Sequence, residues 1–331
     1  MIAQSIPTGE AVAQAIEQGY ALGAVKHCVL LHPGFNHIFE LDFVDGRRAV
    51  ARLSDHRPRG TPNSDYEAAF LDHLKRANVA VAASIPTRDH SAAFQMDLPE
   101  GPRLLMLFEH LEGELMDDDS MPDIEAAGRG LALIHEAGMT YKGPTSRYVL
   151  ELPFLLQAPI ERICAASTTD AAIRASLIDI CQRLTARITA MPNLTRVHCH
   201  GDCHDSNHFM VAGQDGTRIA AFFDFDDAGP GLLSYDLSVF LWNMLPRRVG
   251  AGFDELSMES WRHFLKGYRT VRTLEPNDFE AIAAFVMVRQ IWLMGEYAGR
   301  IPVWGAQMLS TSYMRRQVEV LLDWESLKTP S

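Results

Sequence analysis

Apolar and polar positions follow two regimes along the chain. Residues 24–109 alternate in short runs, and helical spacing takes over beyond Gly113. Val25 to Leu31 is β-rich, and His32-Pro33-Gly34-Phe35-Asn36 interrupts it. Ile38 to Phe43 alternates as a half-buried strand, and Arg48 to Leu53 is its partner. Asp45-Gly46 between them predicts a two-residue hairpin turn, because both positions tolerate positive φ. A polar loop over 56–63 follows. Ser64 to Ala77 reads as a helix with Phe70, Leu71 and Leu74 on one face. Two more strands, Ala92 to Leu98 and Arg103 to Glu109, flank the turn Pro99-Glu100-Gly101-Pro102.

The second regime is mainly helical. Pro122 suits a first helical turn, with Ile124 to Glu136 behind it, and 147–190 reads as helix with one interruption. A loop-and-strand insert over 194–230 breaks the pattern. Helices return over 255–272, 277–297 and 304–326, with no repeat and no low-complexity segment. The pattern divides at residues 1–109, β-rich, and 110–331, mainly helical: an α+β chain.

Composition narrows the partners. The chain has 331 residues, is 47% hydrophobic and carries a net charge of −12. An acidic chain without a basic run argues against nucleic acid, and no apolar run approaches the ~20 residues of a membrane span. Five cysteines at irregular spacing, without a charged-then-apolar signal pattern at the start, predict reduced thiols and a cytoplasmic location.

Chemistry concentrates in the insert. His200-Gly201-Asp202-Cys203-His204-Asp205-Ser206-Asn207 is followed by Asp224-Phe225-Asp226, the first Asp of which ends the apolar run Ile219 to Phe223. Protein kinases use the same order of groups: an Asp that takes the acceptor proton, an Asn on Mg²⁺, then a strand-end Asp on Mg²⁺. Phosphoryl transfer asks a protein for little more than positioning and charge neutralisation, which these three oxygen-bearing side chains supply. Asp226 and Asp227 are further carboxylates nearby. A competing reading is a zinc hydrolase, since His198, Cys199, His200, Cys203, His204 and His208 crowd together. His200, His204 and His208 would align on a helix, but Gly201 and Asn207 are poor helix interiors.

The motif resembles that of the aminoglycoside phosphotransferase and choline kinase families. His-Gly-Asp-Cys-His at 200–204, Asp224 to Asp227 followed by Gly229-Pro230, and Tyr235-Asp236-Leu237 leading into a helix are similar to the bacterial subgroup typified by stress response kinase A; homoserine kinase-like members share the scaffold. The resemblance implies a protein-kinase-like bilobal fold, a small antiparallel-sheet lobe with one helix and a larger, mainly helical lobe. It implies an ATP-dependent phosphotransferase using Mg²⁺, with Asp202 as base and Asn207 and Asp224 as metal ligands. Arg52 stands where the family's phosphate-binding Lys is usual, and Glu67 is its expected helix partner. Glu67 also lies three residues after Ser64, where a capping box would claim it. Asn36, in a loop with a single Gly, is the candidate phosphate contact. Backbone groups from Glu109 to Leu111 are the expected adenine hinge. Asp236 is either a brace for the catalytic loop or a plain helix-start charge. His135 reads as a satisfied core histidine.

The acceptor is a hydroxyl, of a protein Ser/Thr as in the stress response kinase A-like enzymes or of a small molecule. Glu112, Glu114 and Asp117 to Asp119 would attract a cationic acceptor, or they are a solvated acidic helix start. Arg52 and the thin phosphate loop leave a third reading, a nucleotide-binding pseudokinase.

Overall fold

Strand Ile38 to Phe43 alternates because one face of its sheet is buried under a helix. A computed structural model of the chain describes residues 2–55, 57–213 and 216–331, so His56 of the polar loop lies outside it. The chain divides into two units, Met1–Glu112 with Lys142–Thr145, and Gly113–Tyr141 with Ser146–Ser331. The α+β expectation holds, with the sheet in the first unit and most helices in the second.

The first unit contains α1 (Gly9–Gly19), β1 (Val25–Pro33), β2 (His37–Phe43), β3 (Arg48–Leu53), α2 (Ser64–Arg76), β4 (Ser84–Ile85), β5 (Phe94–Met96) and β6 (Arg103–Glu109). The antiparallel strands run in the order β1-β2-β3-β6-β4, with β5 also on β6. Phe39, Leu41, Ala49, Ala51, Leu53, Leu105 and Leu107 bury one sheet face against Val12, Ala15 and Ile16 of α1 and Tyr20 at its C-terminal cap. A Cβ on Gly9 would stand 2.1 Å from the Cys28 carbonyl, so α1 sits as close to β1 as glycine allows.

α1 corrects the expectation of one helix in this unit: among the described residues there are two, α1 and α2. Its buried face, Val12, Ala15, Ile16 and Gly19, carries only two large apolar side chains. The β2–β3 connection is a second correction. It takes four residues, Val44 to Arg47, closed by the Gly46 N–H on the Phe43 carbonyl (3.0 Å), and only Gly46 adopts positive φ (88°).

The second unit contains β7 (Glu114–Leu115), α3 (Met121–Gly138), a π-helical turn Pro153–Gln157 running into α4 (Ala158–Ala165), and α5 (Ala171–Thr189). β8 (Arg196–Cys199), β9 (His208–Ala212), β10 (Arg218–Phe222), β11 (Gly229–Leu232) and α6 (Leu233–Met244) follow. α7 (Glu255–Arg269), α8 (Pro276–Gly299), the short α9 (Ile301–Trp304) and α10 (Thr311–Trp324) complete it. α8 is apolar around most of its circumference and buried along its length, as a central helix must be. α3 and α7 touch backbone to backbone: a Cβ on Gly128 would stand 2.0 Å from the Phe264 carbonyl. Among the described residues no helix is long and apolar enough to cross a membrane.

Candidate active site

A two-stranded antiparallel sheet, β11-β8, and a three-stranded one, β10-β9-β7, present the loop 200–207 between β8 and β9. Gly201 takes φ +89°, and a Cβ there would stand 2.3 Å from the Asp227 carbonyl, so the loop turns only with glycine. The His200 ring locks the turn from inside. Its Nδ1 accepts the Asp202 N–H (3.2 Å), so Nε2 carries the proton and donates to the Phe223 carbonyl (3.0 Å). Burial lowers the proton affinity of His200, in keeping with a neutral ring.

Asp236, in the first turn of α6, anchors the same loop. Its fully buried carboxylate accepts the His200 N–H (2.7 Å) and the Gly201 N–H (2.8 Å). His135 of α3 donates from Nε2 to it (2.9 Å) and accepts the Tyr268 hydroxyl at Nδ1 (2.8 Å). Burial raises the carboxyl's pKa, but His135 and the amides outweigh it and hold it below the ordinary value. Asp236 is therefore a brace, beyond any dipole role, and His135 is a satisfied core histidine.

Asp202 leaves this braced turn with its carboxylate partly exposed. Its Oδ1 is ion-paired with Nη2 of Arg289, a buried residue of α8, and lies 3.7 Å from His204 Nε2. Arg289 also donates from Nη1 to the Tyr235 hydroxyl (3.4 Å), and Tyr235 donates to the Gly201 carbonyl (3.4 Å). Sequence reasoning missed Arg289: it lies 87 residues beyond Asp202, inside an apolar helix with no motif around it.

Asn207 and Asp224 are brought together at the facing ends of β9 and β10, where the Phe223 N–H donates to the Asn207 carbonyl (3.1 Å). Asn207 donates from Nδ2 to the Asp202 carbonyl (2.8 Å), which fixes the amide and turns Oδ1 away from the loop. Asp224 adopts left-handed backbone (φ 63°, ψ 59°), rare outside Gly, Asn and Asp, directly after the strand.

The sheet unit holds the other candidates. Arg52 stands opposite Ile38 and Met106, on the sheet face away from α1. It forms a buried two-pronged pair with Glu67 of α2: Nη1 to Oε1 at 2.8 Å, and Nη2 to Oε2. Of the two roles open to Glu67, the capping box is absent. Asn63, not Ser64, is the N-cap of α2, so Glu67 lies one position too far along and is turned to Arg52. Asn36 is buried and its Oδ1 accepts the Asp55 N–H (3.3 Å), holding the loop to the end of β3. Glu109 ends β6 with its N–H on the Ala83 carbonyl (2.9 Å) and its carboxylate paired with Lys75. Leu111 follows outside any strand.

The His/Cys cluster disperses. His200, His204 and His208 lie on a loop, at the start of a 3₁₀ turn and on a strand, not on one helix. His208 Nε2 faces the Met116 sulfur (3.4 Å), and Cys199 reaches the Leu232 carbonyl (3.8 Å). Among the described residues no three His, Cys, Asp or Glu are grouped to hold a metal, and all five cysteines are free. In the acidic run, Asp117 Oδ1 accepts the Asp119 N–H (3.0 Å) and closes the turn before α3.

The chain is similar in sequence and fold to known proteins. The model of the phosphotransferase enzyme family matches residues 34–274. An uncharacterised protein of Deinococcus radiodurans is 31% identical over 97% of this chain and 91% of its own length. Stress response kinase A of Escherichia coli is 26% identical over 80% of this chain and 76% of its own. Among solved structures, amicoumacin kinase hAmiN in complex with AMP-PNP, Ca²⁺ and Ami superposes with a TM-score of 0.75 at 19% identity, covering 96% of this chain and 95% of that one. The chain belongs to the phosphotransferase enzyme family and is a kinase of the kinase-like fold, with a hydroxyl group as acceptor.

Proposed function

We propose that the chain transfers the γ-phosphoryl group of ATP to the hydroxyl of a small molecule, with Mg²⁺. The observation that carries this reading is the braced Asp202 beside the Asn207–Asp224 pair. The acceptor oxygen attacks the γ-phosphorus as the bond to the β-phosphate oxygen breaks, and ADP leaves. The hydroxyl proton passes to Asp202. Arg289 occupies Oδ1, so Oδ2 is the atom left to receive it.

Asn207 Oδ1 and the Asp224 carboxylate are hard oxygen donors at adjacent strand ends, a set that fits Mg²⁺. When bound there, the ion would neutralise charge on the transferring phosphate. Arg52, held in one orientation by Glu67, is assigned to the α/β-phosphates. Its planar fork suits phosphate oxygens, though it is not equivalent to the usual Lys. The backbone from Glu109 to Leu111 is assigned to adenine, with the Glu109 N–H excluded because Ala83 already accepts it. Asn36 acts indirectly, by shaping the turn before β2.

A small-molecule acceptor is supported by the likeness to amicoumacin kinase. The likeness to stress response kinase A supports a second reading, a protein Ser/Thr hydroxyl. The five free cysteines suit a cytoplasmic location. Asp202→Ala tests the reading: phosphoryl transfer to any acceptor drops by about two to four orders of magnitude while MgATP still binds. Turnover at the wild-type rate in Asp202→Ala would refute the role of Asp202.

A further inference from the structure

Two guanidinium groups meet on one indole beside Asp202. Trp242 of α6 carries two guanidinium groups on its ring, Arg247 at 4.0 Å and Arg289 at 5.1 Å from the centroid. Arg289 has a carboxylate partner, Asp202. Arg247 has none among the described residues: its Nη1 donates to the carbonyls of Asn243 (3.2 Å) and Leu245 (3.1 Å), and no Asp or Glu pairs with it. The Arg247 side chain is half-buried, and the phenols of Tyr297 and Tyr313 lie within its electrostatic reach. Both phenols are partly buried and keep their protons at neutral pH, so each is a hydrogen-bond donor.

Two neighbouring cations in partly dry surroundings repel each other, and an anion that joins them relieves the repulsion. A guanidinium stacked on an indole keeps its N–H edge directed outward, the edge that grips carboxylate or phosphate. The ring of Trp242 thus ties an anion-seeking group to the guanidinium that holds the proposed base.

We propose that the acceptor carries an anionic group, carboxylate or phosphate, bound by Arg247 with Tyr297 and Tyr313, so that its hydroxyl is set at Asp202. The inference rests on the phosphotransfer reading and names the class of its acceptor. It runs against the acidic run 117–119, which would favour a cation.

The test is thermal unfolding of the AMP-PNP-saturated protein with sodium phosphate, sodium glycolate or ethanolamine hydrochloride, each against sodium chloride at matched ionic strength. Saturation with nucleotide keeps the probes out of the triphosphate positions. Phosphate or glycolate should raise Tm by about 2 °C or more beyond chloride. Which of the two does so separates a phosphate ester from a carboxylate. Arg247→Gln should lose that rise while keeping the nucleotide's own shift. Tyr313→Phe, a milder change, should weaken the rise and covers the case in which Arg247→Gln fails to fold. No rise beyond chloride, a rise with ethanolamine alone, or a rise unchanged in the variants would overturn the proposal. A wild-type protein that does not respond to nucleotide at all would instead overturn the phosphotransfer reading, and this inference with it.

Discussion

Asp236 satisfies two backbone N–H groups and one histidine from inside the protein, and through them it sets where Asp202 points. Asp236→Asn keeps the shape but swaps one acceptor oxygen for a donor that faces other donors. The expected cost is about 2–4 kcal/mol of stability, read from the urea midpoint. Transfer should slow further than nucleotide affinity falls, because the variant disturbs the base and not Arg52. An Asp236→Asn enzyme with wild-type stability and rate would show that the loop is held by other means. At this scale the sequence was most informative where chemistry is contiguous: Asp202, Asn207 and Asp224 sit in one insert, and the structure brings the last two to adjacent strand ends. Arg289 was not legible, because Asp202 and Trp242 join it only through the fold of α8 against α6 and the loop; Arg247 lies just past α6 with no motif around it.

Between elements, β3 and α2 are joined by the pair Arg52–Glu67, buried on both sides. Glu67→Gln takes the Glu67 charge away from the buried Arg52, and breaking such a buried pair typically costs about 3–5 kcal/mol. The variant should also bind nucleotide more weakly, since the guanidinium is free to turn. Calorimetric unfolding with nucleotide titration checks both; an unchanged midpoint would mean that the pair is not buried in solution. The strands were readable because period-2 alternation survives wherever one sheet face is covered, as in β2. The covering helix α1 was not, since of its buried positions Val12, Ala15, Ile16 and Gly19 only Val12 and Ile16 carry large apolar side chains. The β2–β3 loop shows the same limit: Asp45-Gly46 signals a turn but not its length.

Across the whole molecule, buried carboxylates set the response to acid. Asp123 is held below the ordinary carboxylate range by the two-pronged Arg218 pair (2.8 and 2.7 Å), and Asp236 by His135 and the loop amides against the opposing effect of burial. Groups with a depressed folded pKa contribute stability that is full above the unfolded pKa, about 3.9 for Asp, and is lost as pH falls through the folded value. Tm should therefore hold from neutral pH to about 5 and drop below about 4. Arg218→Gln should be less stable than wild type at pH 7, with the gap narrowing as Asp123 protonates. A gap that widens in acid would reverse the sign argued here. The period of the apolar pattern changes near residue 110, because a sheet and a set of packed helices leave different spacings. The return of Lys142–Thr145 to the first unit has no such signature. The central claim is that the chain uses a nucleotide with a metal held by Asn207 and Asp224, and Tm with and without MgATP tests it most directly in wild type, Asp202→Ala and Asp224→Ala. At a hundredfold excess over Kd the nucleotide stabilises by about 2.7 kcal/mol. The account predicts a Mg²⁺-dependent rise in wild type, the same rise in Asp202→Ala, and loss of the Mg²⁺-dependent part in Asp224→Ala. No rise in wild type, or a full Mg²⁺-dependent rise in Asp224→Ala, would contradict it.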